Sequence, residues 1–172
     1  ECYPAKLAHG HISWLLNQKV DFIFYPALFY ERNEFADANN HYNCPIVTSY
    51  SENIKNNVEE IGEGKVRLRN PFMSFQDLKT VSQALSREFS ELPVEEVLEA
   101  ARLGWEELAQ ARKDMQIKGE EVLSYLARTG KRGIVLAGRP YHIDPEIHHG
   151  IPELITSYDI AVRTEDSVSH LA

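Results

Sequence analysis

Cysteine is scarce. The 172-residue chain has two, Cys2 and Cys44. A secreted disulfide scaffold of this length carries more, so a cytoplasmic chain with reduced thiols is expected. No apolar run approaches the roughly 18 residues that a membrane span needs. No long basic run is present either. Lys and Arg number 18 against 26 Asp and Glu, a formal net charge of −8, which argues against a nucleic-acid surface. There is no Gly-x-Gly-x-x-Gly, no Walker A sequence and no nucleophile-elbow serine, so no ATP site is expected within these residues. The opening Glu1-Cys2-Tyr3-Pro4 lacks an initiator Met and a signal-peptide pattern. The close, Ser169-His170-Leu171-Ala172, follows a strand-like segment. The chain therefore reads as a piece of a larger polypeptide, whose other domains are its expected partners.

What is present is a globular composition. Hydrophobic residues make up 43% and aromatics 10%, too much apolar surface for a disordered chain. Pro4 suits a first helical turn, and Ala8, Ile12, Leu15 and Leu16 share a face, so a helix is expected over 4–18. Val20 to Tyr25 is a nearly continuous apolar run, the pattern of a buried parallel strand. Residues 26–43 are polar and aromatic and read as a loop. A short strand is expected at 45–48. A capping box at Ser49-x-x-Glu52 then opens a helix that ends at Gly62 and Gly64. Residues 65–69 alternate as a strand, which Asn70-Pro71 closes, and 77–89 reads as a helix.

The clearest periodicity spans 93–126. Val94, Leu98, Ala101, Trp105, Leu108, Arg112, Met115, Gly119, Val122 and Leu126 step alternately by four and three, one long helix with an apolar seam. A seam of this kind is more often a core face than a cofactor site. Arg112 and Gly119 interrupt it and mark a possible crossing with another helix, and Gly130 caps its end. Residues 133–138 make a second buried strand, a helix is expected over 150–158, and a last strand over 160–164. Alternating strands and helices predict an α/β fold with a Rossmann-like parallel sheet flanked by helices. The long helix divides it into two lobes, 1–92 and 93–172.

Three segments can carry chemistry. Cys2 stands just before a helix, in the positive field of its free N–H groups, which favours the thiolate that binds metal or attacks. Lys6 adds positive charge one turn on. The competing reading is a buried, inert cysteine. Cys44 leaves a loop as Cys-Pro, a pairing frequent at iron–sulfur ligands. Two cysteines alone cannot hold a cluster. A Cys/His zinc site can be drawn with His9, His11 and His41, but residues two apart on a helix point roughly 200° apart, which sets His9 against His11. The third segment, Gly138-Arg139-Pro140-Tyr141-His142-Ile143-Asp144-Pro145, leaves a buried strand, where open α/β sheets bind ligands. Arg139 suits a phosphate or carboxylate. Tyr141, His142 and Asp144 suit hydrogen bonding or acid–base work. The alternative is a loop whose Arg and Asp stabilise each other and cap the next helix. His148 and His149 are expected to be exposed.

The segments Glu1 to His11, Asp21 to Pro26, Asn43 to Tyr50 and Gly138 to Pro145 together resemble the acyl-CoA dehydratase activase-related family. That family is similar to the subunits of 2-hydroxyacyl-CoA dehydratases and to benzoyl-CoA reductase-type proteins. The resemblance runs from residue 1 to about residue 168. Cys-Tyr-Pro-x-Lys and Gly-Arg-Pro-Tyr-His are specific together, and neither is decisive alone. It implies Rossmann-like lobes with a four-iron cluster between them, held by three cysteines with one iron open. It also implies an electron-donating, ATP-dependent activase module and acyl-CoA as partners. Cys2 and Cys44 would be cluster ligands, with Lys6 tuning them, and the loop Arg139, Tyr141, His142 and Asp144 would bind substrate or a partner lobe. The sequence departs from this pattern at Ala27, where a third cysteine would follow Tyr25-Pro26. An iron–sulfur redox domain is thus the leading expectation, and a docking lobe that has lost its cluster is the alternative.

Overall fold

The computed structural model describes residues 2–33 and 37–171. It is an α/β structure of short parallel strand pairs, helices and one long helix. The chain divides into two compact units, Glu1–Gly104 and Trp105–Ala172.

The first unit opens with α1 (Tyr3–Asn17), with Pro4 in its first turn as expected. Ala5 and Ile12 form its buried stripe. Strands β1 (Phe22–Phe24) and β2 (Ala27–Glu31) follow, then α2 (Pro45–Asn57), the single turn α3 (Glu59–Gly62), β3 (Arg67–Arg69), β4 (Phe72–Phe75) and α4 (Leu78–Glu88). β1 pairs in parallel with β3, and β2 with β4. Phe22 faces Arg67 and Ala27 faces Phe72, the same offset of 45 residues. The two pairs are therefore one parallel ladder, broken where Pro26 and Pro71 each lack an N–H. Tyr25 N–H to the Arg69 carbonyl (2.8 Å) and Ala27 N–H to the Pro71 carbonyl (2.9 Å) carry the pairing across the break. The register shifts between Leu28 and Tyr30, a bulge at Phe29.

Three expectations are corrected here. The segment 26–43 is not all loop, because its first residues form β2. Residues 45–48 are helix, not strand: Pro45 occupies the first position of α2 behind Cys44, and proline at that position outweighs the β-branched Ile-Val-Thr that follows. Ser49 consequently does not cap. Its hydroxyl donates to the Pro45 carbonyl (2.7 Å) inside the helix. Asn70-Pro71 closes β3 at Arg69 as expected and leads directly into β4.

Ile12, Ile23, Ile54 and Ile61 form the core, with Leu15, Leu16, Val20, Tyr25, Tyr50 and Leu68 packed on it. On the opposite side of β1, Phe22 and Phe24 pack against Phe89. Buried Arg69 lies over the Phe22 and Phe89 rings, donates to the Glu88 carbonyl (3.0 Å) and pairs with Glu91. The hydrogen bond from Arg69 holds the Glu91 carboxyl below its ordinary value.

Helix α5 (Val94–Thr129) has 36 residues, about 54 Å at 1.5 Å per residue. Its seam is only partly covered: Val94, Leu98, Leu108 and Met115 are exposed, Trp105, Arg112, Val122 and Leu126 half-buried, and Ala101 and Gly119 buried. Gly130 ends it with φ 68°, its N–H returning to the Leu126 carbonyl (2.9 Å). In the second unit, β5 (Gly133–Leu136) pairs in parallel with β6 (Ala161–Thr164). Between them lie a 3-10 turn at Pro140–Ile143, α6 (Pro145–His148) and α7 (Ile151–Ser157). The crossing expected at Gly119 is made by a turn, not a helix. A Cβ there would stand 1.9 Å from the Ser167 carbonyl oxygen, so the turn Glu165–Ser167 rests directly on α5.

Candidate functional site

Both cysteines are exposed and unpaired, and each is the N-cap of a helix with proline in its first turn, Cys2 of α1 and Cys44 of α2. The Cys2 carbonyl accepts from Ala5 N–H (3.1 Å) and the Cys44 carbonyl from Thr48 N–H (3.1 Å), which start the two helices. Neither side chain caps its helix, so both sulfurs are left for another partner.

The helices pack in matched register. His9, seven residues beyond Cys2, meets Tyr50, six beyond Cys44, edge to face at 5.6 Å. Ile12 and Ile54, each ten residues beyond its cysteine, share the core. Nearly equal depth at the ring contact, seven residues against six, and a shared core ten residues on put α1 and α2 side by side in one direction, with both cysteines at the same end. That end is the carboxyl end of the strands. Asn43 N–H donates to the Phe29 carbonyl (3.0 Å), the Asn43 side-chain amide to the Leu28 carbonyl and to Glu31, and Thr48 Oγ1 to the Leu28 carbonyl (3.3 Å). Ligands of open α/β sheets bind at this end.

The remaining donors do not join them. Among the described residues no three His, Cys, Asp or Glu side chains converge as metal ligands. His9 packs on Tyr50 and His41 edge-on to Tyr30. Lys6 is exposed on α1. Ala27, where the resemblance would place a third cysteine, is 2% exposed within β2. Below the cysteine end, burial and then Tyr50 push the Tyr25 phenol upward.

In the second unit the Arg139 to Asp144 loop follows β5 as expected, but β5 is an exposed strand of four residues, not a buried one, because among the described residues it pairs only with β6 and leaves Ile134 and Val135 uncovered. The loop bounds a cleft of about 40 Å³ lined by Leu136 to Pro140, His142, Ile143 and Thr164 to Asp166. That volume suits a water or a small ion rather than a coenzyme. Arg139 is exposed, and its N–H donates to His142 Nδ1 (3.0 Å), which leaves Nε2 to carry the ring proton. Tyr141 meets His142 at 4.5 Å. A Cβ on Gly138 would fall 2.6 Å from His142 Nδ1, so glycine lets the ring fold over the backbone. Asp144 caps α6, accepting from Glu146 N–H (2.9 Å). The capping half of the structural alternative is therefore present, and it engages one Asp144 oxygen.

One expectation for the histidines is corrected. His148 is 9% exposed, and its Nδ1 accepts from Gly150 N–H (3.0 Å). Left-handed His149 (φ 50°) and Gly150 (φ 77°) fold the chain back over it. The bare His-His-Gly sequence carries no periodicity that would reveal this. Arg69 and Arg163, both more than nine-tenths buried, were equally silent in sequence, since arginine is seldom buried. Burial pushes the Arg163 guanidinium downward.

No helix among the described residues is long and apolar enough to cross a membrane. The family profile described as CoA enzyme activase uncharacterised domain matches residues 1–168. No curated protein and no solved structure matches significantly.

Proposed function

This chain belongs to the CoA enzyme activase uncharacterised domain family, and on that premise we propose that it is an iron–sulfur redox domain acting in acyl-CoA chemistry. Cys2 and Cys44 would contribute two thiolates to a four-iron cluster. The observation that supports this is their placement as N-caps of two helices packed in matched register. Free N–H groups and partial positive charge at helix N-termini suit ligand atoms that carry negative charge.

Two thiolates are half of the usual cysteine set, and no third donor converges with them among the described residues. The cluster would therefore be completed by ligands from another segment or subunit. When bound, such a cluster supplies one-electron chemistry and an open coordination site. This chain's own part is to hold two sulfurs at one end of the sheet, with Thr48 and Asn43 fixing the Cys44 segment against β2. Arg139 and His142 would engage the substrate or a partner lobe. An electron-donating activase module and an acyl-CoA would be its partners.

Buried Ala27 favours a second reading, a docking lobe that keeps the fold without the metal. The discriminating experiment measures iron and acid-labile sulfide, after anaerobic reconstitution, in the polypeptide that carries this domain and in its Cys2→Ala and Cys44→Ala variants. The redox reading expects about four irons per cluster and loss of binding in either variant. No iron in the unsubstituted protein, or iron that survives both substitutions, rejects Cys2 and Cys44 as ligands and leaves the docking lobe.

A further inference from the structure

We propose that the groove between α4 and the first turn of α5 binds a soluble organic phosphate, its phosphate held by Lys79 and Arg87 and its apolar part against Val94 and Leu98. The groove measures about 530 Å³, within the range of small-molecule sites. Lys79, Ser82, Ser86 and Arg87 line its α4 side, and Val94 and Leu98 its α5 side. All lie within the first unit.

Three observations carry the assignment. The chain has 26 acidic residues against 18 basic ones, yet two cations and no acid line this groove. Against that background the concentration of positive charge selects an anion. Second, Ser86 Oγ is buried without a hydrogen-bond partner among the described residues. Helical serines ordinarily bond back to their own helix, as Ser49 and Ser157 do here. Ser86, like Ser51 in α2, does not, and a buried hydroxyl without a partner is costly unless something else satisfies it; of the two, only Ser86 lines this groove. Ser82, 5% exposed, stands one turn before it on the same wall. Third, Val94 and Leu98 are 53% and 44% exposed, an apolar wall beside the cations. A phosphate accepts from ammonium, guanidinium and hydroxyl donors together, and an attached apolar arm would cover the two α5 side chains.

The proposal uses neither cysteine, so a protein that binds no iron passes or fails its test independently. The test titrates the 172-residue chain with octyl phosphate, below its aggregation point, while amide NMR signals are followed. Inorganic phosphate and octanol are the two half-ligands. Octyl phosphate should give saturable shifts confined to residues 79–98, and each half-ligand should bind more weakly. Lys79→Gln with Arg87→Gln should weaken binding about tenfold, and Ser86→Ala by a smaller factor of about three. Both cations are exposed, so the double variant keeps the fold. Absence of saturable shifts, or shifts indifferent to the charge substitutions, overturns the site. Binding only to phosphatidic acid vesicles overturns the soluble ligand in favour of a lipid surface.

Discussion

Ile12 and Ile54 belong to one core cluster of the first unit, each ten residues beyond the cysteine that begins its helix. That shared core, with the His9–Tyr50 ring contact, sets the relative height of α1 and α2, and with it the common level of Cys2 and Cys44. Ile54 is fully buried. Ile54→Ala should cost about 2–5 kcal/mol, the transfer and cavity terms of a large-to-small core change. Trp14→Ala on α1, 61% exposed, should cost no more than about 0.5 kcal/mol. Chemical denaturation of the two variants measures both. Similar losses would mean that Ile54 is not the packing anchor.

Gly138 and His142 make the second prediction. A methyl group at Gly138 would occupy the position of the His142 ring, 2.6 Å from Nδ1. Gly138→Ala should expel the ring and break the bond from Arg139 N–H. The His142 ring resonances should move to solvent-exposed values, with little change elsewhere in β5. Unchanged ring signals would show that the loop does not need the glycine.

Much of this architecture was legible in advance, for local reasons. Helices α1 and α5 announce themselves through Pro4 and through the seam from Val94 to Leu126, signals confined to neighbouring residues, and α4 was placed over 77–89 without its Asp77 cap being recognised. The failures are non-local or competing. β2 and β4 are short strands beside prolines, and only the ladder with its offset of 45 residues makes them strands. Ile46-Val47-Thr48 carries a β signal that a Cys-Pro helix start overrides. The positions of Cys2 and Cys44 before helices were partly readable, but their common level was not. It arises from the contact between His9 and Tyr50 and from the core that Ile12 and Ile54 share, pairs far apart in sequence. The Arg139 to Asp144 loop was placed correctly at a strand's carboxyl end. The smallness of its cleft depends on how β6 and its following turn close over it.

Asp77 sets a pH dependence. Its Oδ1 accepts from Thr80 N–H (2.8 Å), and its Oδ2 from Gln76 and the Thr80 hydroxyl. These bonds, the Thr80 backbone one foremost, hold its carboxyl below the ordinary value. A folded value below the unfolded one (~3.9) means that the contribution is complete above the unfolded value and fades as pH falls through the folded one. Asp77→Ala should lower the thermal midpoint at neutral pH, and the difference should shrink in acid. Asp77→Asn should keep most of the stability, since asparagine also caps, but without that acid-linked loss. A constant difference between Asp77→Ala and the parent across pH would exclude the charged cap.

Two glycines of α5 give opposed expectations on one helix. At Gly119 a Cβ would lie 1.9 Å from the Ser167 carbonyl oxygen and 2.6 Å from Arg163 Nη2. Backbone cannot yield as a flexible side chain can, so Gly119→Ala should push the turn Glu165–Ser167 off the helix. The bond from Arg163 to the Ser167 carbonyl (3.4 Å) would be lost with it. A cost of about 1–3 kcal/mol is expected, with faster amide exchange in β6 and the turn. At Gly104 nothing lies within 4 Å of a Cβ. Gly104→Ala should stabilise by about 0.5–1 kcal/mol, because alanine loses less backbone freedom in a helix. If both substitutions stabilised equally, the seating of the Glu165–Ser167 turn on α5 would be wrong, because helix propensity alone would then account for both.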